Sequence, residues 1–192
     1  MEENKKIILV GIPGVGKTSL LSQVVESLKE KNKVVSVVNY GTLMFDVAKE
    51  NGLKDRDNLR KLPVVEQQKL QKIAAEKIAA HDEEITIIDT HAFISSPEGY
   101  YPGLPEHVLK IIQPSNFVSV AAKPEEIYNR RMKDESRDRD KITLINIKKE
   151  LEYQTGMISA CAVITGVPVR HILNGEGKID EAANKIINAI GL

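Results

Sequence analysis

The stretch Gly11-Ile12-Pro13-Gly14-Val15-Gly16-Lys17-Thr18 matches G-x-x-x-x-G-K-S/T, and the apolar run Ile7-Ile8-Leu9-Val10 stands directly before it. Nothing else in the chain limits the fold as tightly. A loop whose backbone N–H groups converge on phosphate oxygens needs glycine where a Cβ would collide or forbid the dihedral, which accounts for Gly11, Gly14 and Gly16. It also needs a strand in front and a helix behind, so that the positive helix end faces the anion. Lys17 then supplies a point charge for the β- and γ-phosphates, and the Thr18 hydroxyl is placed to ligate Mg2+. The pattern predicts a bound nucleoside triphosphate.

Composition narrows the partners. At 192 residues, 42% hydrophobic, the chain can bury a sizeable core, and its length suits one domain. Twenty-seven basic residues balance 27 acidic ones, and aromatics make up 4% with no Trp. Neither a global basic field nor base-stacking capacity points to nucleic acid. Met1-Glu2-Glu3-Asn4-Lys5-Lys6 is no signal peptide, and the longest mostly apolar stretch, Met157 to Val167, is too short to span a bilayer, so a cytoplasmic protein without membrane partners is expected. Cys161 is the only cysteine; its small apolar neighbours suggest a buried helix residue without reactive role.

Hydrophobic periodicity places the other elements. Leu20, Leu21, Val24, Val25 and Leu28 recur at helical spacing, and Val34 to Val38 is a β-branched run. Helices are predicted over Thr42–Lys49 and Pro63–Ala80, and a third strand over Ile85–Asp89. Ser95 to Pro105, punctuated by proline and glycine, predicts a break in regular structure before a short helix to Ile112. A fourth strand follows over Phe117–Ala121, then a helix from Pro124, a charged interruption over Lys133–Lys141, a long helix from about Ile142 to Ile164, a fifth strand over Val169–Leu173 and a last helix over Ile179–Ile190. The fold class expected is α/β: a doubly wound five-stranded parallel sheet with helices on both faces, ligands gathering at the carboxyl ends of the strands.

Several residues then suggest chemistry. Asp89 ends an apolar strand; beside such a loop it reads as a carboxylate that holds Mg2+ directly or through water, rather than a plain strand-to-turn aspartate. His91 could act as a base, but a histidine beside a metal carboxylate more often orients its neighbours by hydrogen bonding. Arg130, Arg131, Lys133, Arg137 and Arg139 place five cations in ten residues. In a flap they could stabilise the transferring phosphoryl group, Arg137 and Arg139 foremost; otherwise they form a solvated charged turn. Arg56 and Arg60, four apart, suit either a second phosphate site or surface ion pairs. No D-x-x-G follows Asp89 and no N-K-x-D occurs, which disfavours a regulatory GTPase. On the residues alone, a kinase for a phosphorylated acceptor, a kinase for another small molecule, and a P-loop ATPase or nucleotide-gated interaction module all remain open.

The chain resembles the archaeal type of adenylate kinase nearly end to end. The resemblance rests on the loop, Asn39-Tyr40-Gly41-Thr42, Asp55-Arg56-Asp57 with Arg60-Lys61-Leu62, Asp89-Thr90-His91, Gly99-Tyr100-Tyr101-Pro102-Gly103-Leu104-Pro105 and Arg137-Asp138-Arg139. It implies transfer of a phosphoryl group from MgATP to AMP, giving ADP, in one kinase domain with an AMP-binding helical region about 40–80 and a short lid about 131–142. It further implies that Gly41, Thr42, Arg56, Arg60, His91 and Gly103 serve AMP, that Arg130 and the Asn174 turn serve ATP with Gly11 to Thr18, and that Lys17, Arg137 and Arg139 are catalytic. A homotrimer is implied as well. The bacterial Asp-Gly-Phe-Pro-Arg motif is replaced here by Asp89-Thr90-His91-Ala92-Phe93, and the segment between Arg131 and Ile142 is too short for a long lid and carries no cysteine for zinc.

Overall fold

Alternation along the first strand sets the architecture. In β1 (Lys5–Val10), Ile7 and Leu9 pack into one hydrophobic cluster while Ile8 and Val10 pack into another. Successive side chains of a strand point to opposite faces, so a strand apolar at every position must be covered on both. The computed structural model describes residues 4–59, 62–96, 99–133 and 143–191, without the side chains of Arg56 and Asp57. β1 lies at the centre of a five-stranded parallel sheet in the order β2-β3-β1-β6-β7, with β2 Val35–Asn39, β3 Ile85–Thr90, β6 Asn116–Ala121 and β7 Val169–Leu173.

Ile85, Ile87, Val118 and Val120 join Ile7 and Leu9 beneath α1 (Lys17–Glu30) and α8 (Ile179–Ala189). Ile88 and Phe117 join Ile8 and Val10 on the other face, beneath α2 (Tyr40–Glu50), α4 (Val64–Ala79), α5 (Glu106–Ile112) and α7 (Leu144–Thr165). A short α3 (Arg56–Leu59) precedes α4, and α6 (Pro124–Lys133) leads from β6 towards α7. The expected doubly wound sheet is present. The helix starts follow local chemistry: the Asn39 carboxamide accepts from the Thr42 N–H at 2.9 Å, and the Thr143 hydroxyl accepts from the Asn146 N–H at 3.1 Å. Buried Tyr40 donates its hydroxyl to the Gln71 carbonyl at 3.1 Å, tying α2 to α4, and burial pushes its phenol pKa up.

One expectation fails. Overlapping Ser95 to Pro105, the chain forms a two-stranded antiparallel hairpin, β4 (Phe93–Ser96) with β5 (Gly99–Pro102). Gly99, at φ 134°, permits a backbone that other residues rarely adopt, and the Phe93 and Tyr100 rings meet edge to face at 5.0 Å. Tyr153 of α7 stacks on Tyr100 at 4.4 Å and holds the hairpin against that helix. Smaller differences concern boundaries: α2 begins at Tyr40, and Ile142, expected to open the long helix, lies outside the described residues.

Candidate active site

The loop from Gly11 to Gly16 joins the carboxyl end of β1 to α1 and contains a tight turn. Val15 N–H reaches back to the Ile12 carbonyl at 3.4 Å, with Pro13 and Gly14 between them and Gly14 at φ 88°. Proline second and a positive-φ glycine third are what a type II turn requires. Gly16, at φ 83°, precedes α1, and a Cβ there would lie 2.7 Å from the Asn174 Nδ2. At Gly11 a Cβ would sit 2.7 Å from Val15 and 2.8 Å from the Lys17 stem. All three glycines are therefore required, as the motif predicts.

Side chains from three other elements hold the loop by its carbonyl oxygens. His91, just past β3, donates from Nδ1 to the Gly11 carbonyl at 3.0 Å. The Arg131 Nε donates to the Pro13 carbonyl at 2.8 Å, and the Arg130 Nη1 to that of Gly14 at 3.3 Å. Buried Asn174, at the end of β7, donates from Nδ2 to the Val15 carbonyl at 2.8 Å. With its carbonyls engaged outward, the loop leaves the N–H groups of Gly14 and Gly16 without a protein acceptor among the described residues. Such N–H groups are what an anion binds.

Lys17 lies at the mouth of this loop. Its ammonium is 2.9 Å from the Asp89 Oδ1 and donates to the Thr90 carbonyl at 2.7 Å. Burial pulls its pKa below the lysine value, and the Asp89 charge pulls it back up. Asp89 is held on its other oxygen by the Asn39 Nδ2 at 2.9 Å. Asn39 also accepts from both the N–H and the hydroxyl of Thr42, so β2, α2, β3 and α1 meet at one polar cluster. Thr18 is exposed in the first turn of α1. One carboxylate and one hydroxyl beside a phosphate loop fit Mg2+, which keeps several waters and takes its remaining oxygens from nucleotide phosphates. No cluster of three or more His, Cys, Asp or Glu side chains that could hold a metal ion occurs among the described residues.

The structure thus brings together Gly11, Ile12, Pro13, Gly14, Val15, Gly16, Lys17, Asp89, His91, Arg130 and Asn174, with Thr18 following in the same helix. Gly41 and Thr42 lie in the first turn of α2 beside Asn39. Gly103 packs against the backbone at the hairpin base: its N–H donates to the Ala92 carbonyl at 2.8 Å, and a Cβ would be 2.0 Å from the His91 carbonyl oxygen. Arg60, Arg137 and Arg139 lie outside the described residues, as does the Arg56 side chain. The sequence reading missed the carbonyl clamp and its outer partner Glu150, whose Oε2 takes the Arg131 Nη2 at 2.6 Å. Its only available signal was the Arg130-Arg131 pair.

Fold and loop define an α/β nucleotide-binding protein of the P-loop class. A family model described as "AAA domain" matches residues 10–148, and the chain belongs to that family. Solved shikimate kinases share the fold: that of Bacteroides thetaiotaomicron aligns with a TM-score of 0.60 at 14% identity over 98% of this chain and 99% of its own, and that of Aquifex aeolicus at 0.57 and 17% over 96% and 95%. More specifically, the chain belongs to the adenylate kinase family. It is 41% identical over 190 residues to the adenylate kinase of Methanocaldococcus jannaschii, covering 98% of this chain and 99% of that one. Identity to the adenylate kinase of Thermoplasma acidophilum is 42% over 186 residues, covering 96% and 98%, and to that of Saccharolobus solfataricus 40% over 190, covering 95% and 97%.

Proposed function

We propose that the protein is an adenylate kinase that reversibly transfers the γ-phosphoryl group of MgATP to AMP, giving two ADP, in the cytoplasm. The observation that carries this reading is the largely buried Lys17 ammonium beside a loop with outward-held carbonyls, in a chain similar to adenylate kinases over nearly its whole length. A phosphate oxygen of AMP attacks the γ-phosphorus, the bond to the β-bridging oxygen breaks, and ADP leaves. The attacking oxygen is already ionised near neutral pH, so no strong base is needed. Catalysis then comes from holding two anions in line and offsetting their repulsion. Lys17 exchanges its Asp89 contact for the β- and γ-phosphates, while the free N–H groups of Gly14 and Gly16 receive phosphate oxygens. Thr18 and Asp89, the latter directly or through water, would hold Mg2+, which neutralises phosphate charge when bound.

In this reading Arg130 and Asn174 border the ATP site within one kinase domain. Gly41, Thr42, Arg56, Arg60, His91 and Gly103 belong to the AMP side with the helical region about 40–80, and Arg137 and Arg139 act from a short lid about 131–142. Polar contacts near Asp89 support the placement of Thr42, and His91 and Gly103 meet where the hairpin leaves the site. A coupled assay with MgATP and a panel of acceptors tests the function. AMP should raise ADP formation far above the acceptor-free rate, and chelation of Mg2+ should abolish it. Phosphate release without any acceptor requirement, or a preference for a different acceptor, would sink the assignment.

A further inference from the structure

The Pro13–Gly14 peptide is the part of the loop most easily turned over. Type I and type II turns differ mainly by a flip of their central peptide, and glycine at the third position accepts either form. In the conformation described, with Gly14 at φ 88°, the Pro13 carbonyl faces Arg131. Because a trans peptide is planar with its C=O and N–H opposed, a carbonyl fixed on one side aims the Gly14 N–H to the other. Pro13 has no N–H of its own with which to anchor the turn. The hold on this peptide therefore comes from Arg131, whose side chain is only 8% exposed.

Arg131 is itself held from α7. The Glu150 Oε2 takes its Nη2 at 2.6 Å while its Nε remains on Pro13 at 2.8 Å. A guanidinium is flat and its donors diverge at fixed angles, so a carboxylate gripping one side sets the direction of the other. α6 also leaves no slack here: a Cβ on Gly14 would lie 3.1 Å from the Arg131 Cγ and 3.2 Å from Ile127. We propose that Glu150 is a positioning residue for the donor phosphates: through Arg131 it locks the Ile12–Val15 turn in the form that presents the Gly14 N–H to the nucleotide. The proposal rests on the reading of Gly11 to Thr18 as the MgATP site.

The test is calorimetric titration of MgATP and, separately, of AMP into wild-type protein and the isosteric Glu150→Gln variant, with thermal unfolding recorded for both. Because the Arg131 guanidinium is only 8% exposed, Glu150→Gln leaves a buried cation without its counter-charge, and the unfolding curves separate lost stability from lost affinity. The expected result is MgATP affinity weakened about tenfold, the scale of one charge-assisted hydrogen bond, with AMP affinity unchanged. Adding Glu150→Gln to an Arg131→Lys variant should then weaken MgATP by less than it does in wild type, because a freely rotating ammonium lacks the rigid fork through which a carboxylate on one side sets the donor on the other. Unaltered MgATP affinity in Glu150→Gln, parallel weakening of both nucleotides, or strictly additive losses in the double variant would each overturn the positioning role. Wild-type protein that binds no MgATP would overturn the donor-site reading itself, and this proposal with it.

Discussion

A single ammonium carries much of the electrostatic argument. Lys17 is poised between a carboxylate and a carbonyl that stand in for nothing larger than part of a triphosphate's charge. Lys17→Met should cut turnover by about a hundredfold or more, the scale of losing one preorganised partner of developing charge, while circular dichroism stays native. Near-normal activity in that variant would defeat the role. The same pair of proteins reads out the buried charge. Because burial lowers the Lys17 pKa from 10.5, the unfolded chain binds more protons than the folded one between the lowered value and 10.5, and stability contributed by this residue rises with pH through that window. Urea denaturation across alkaline pH should show wild type gaining on Lys17→Met; a flat or falling difference contradicts this. Lys17 and its glycines were legible in the sequence because their constraints act within eight consecutive positions. For His91 the hydrogen-bonding role was legible but not its partner, and Arg131 and Glu150 were not legible in their present roles, since what each one touches lies between 19 and 118 residues away along the chain.

At the scale of elements, the parallel strands announced themselves by β-branched runs, and the helices by their apolar spacing. The β4–β5 hairpin did not. Its strands are four residues each, and its alternation is interrupted by glycine and proline, so only cross-strand partners and Tyr153 on a distant helix reveal it. Gly103 closes that hairpin onto β3, where a methyl group would stand 2.0 Å from a backbone oxygen that cannot swing aside. Gly103→Ala should therefore destabilise the protein by about 2 kcal/mol, as overfilling a packed site does, and lower the melting temperature by several degrees. An unchanged melting temperature would mean that the hairpin base moves freely. The short lid expected about 131–142 falls largely outside the described residues, so its arginines remain an expectation of the sequence.

The whole molecule raises the question of assembly. α7 leaves Tyr153, Val163 and Ile164 at 44%, 84% and 55% exposure. We propose the homotrimer that the sequence resemblance implies, for which sedimentation equilibrium should report about three times the 21.3 kDa chain mass. A monomer at micromolar concentration would refute it. Among the described residues no helix is long and apolar enough to cross a membrane. The strand order has a different kind of consequence. Ile7 to Val10 form the middle of the sheet, yet their hydrogen-bonding neighbours begin at Ile85 and Asn116. A ribosome releases this greasy ribbon ahead of both its partners, and neither edge is covered until Ile85 and then Asn116 have followed. Birth, more than maturity, is when this molecule is most prone to stick.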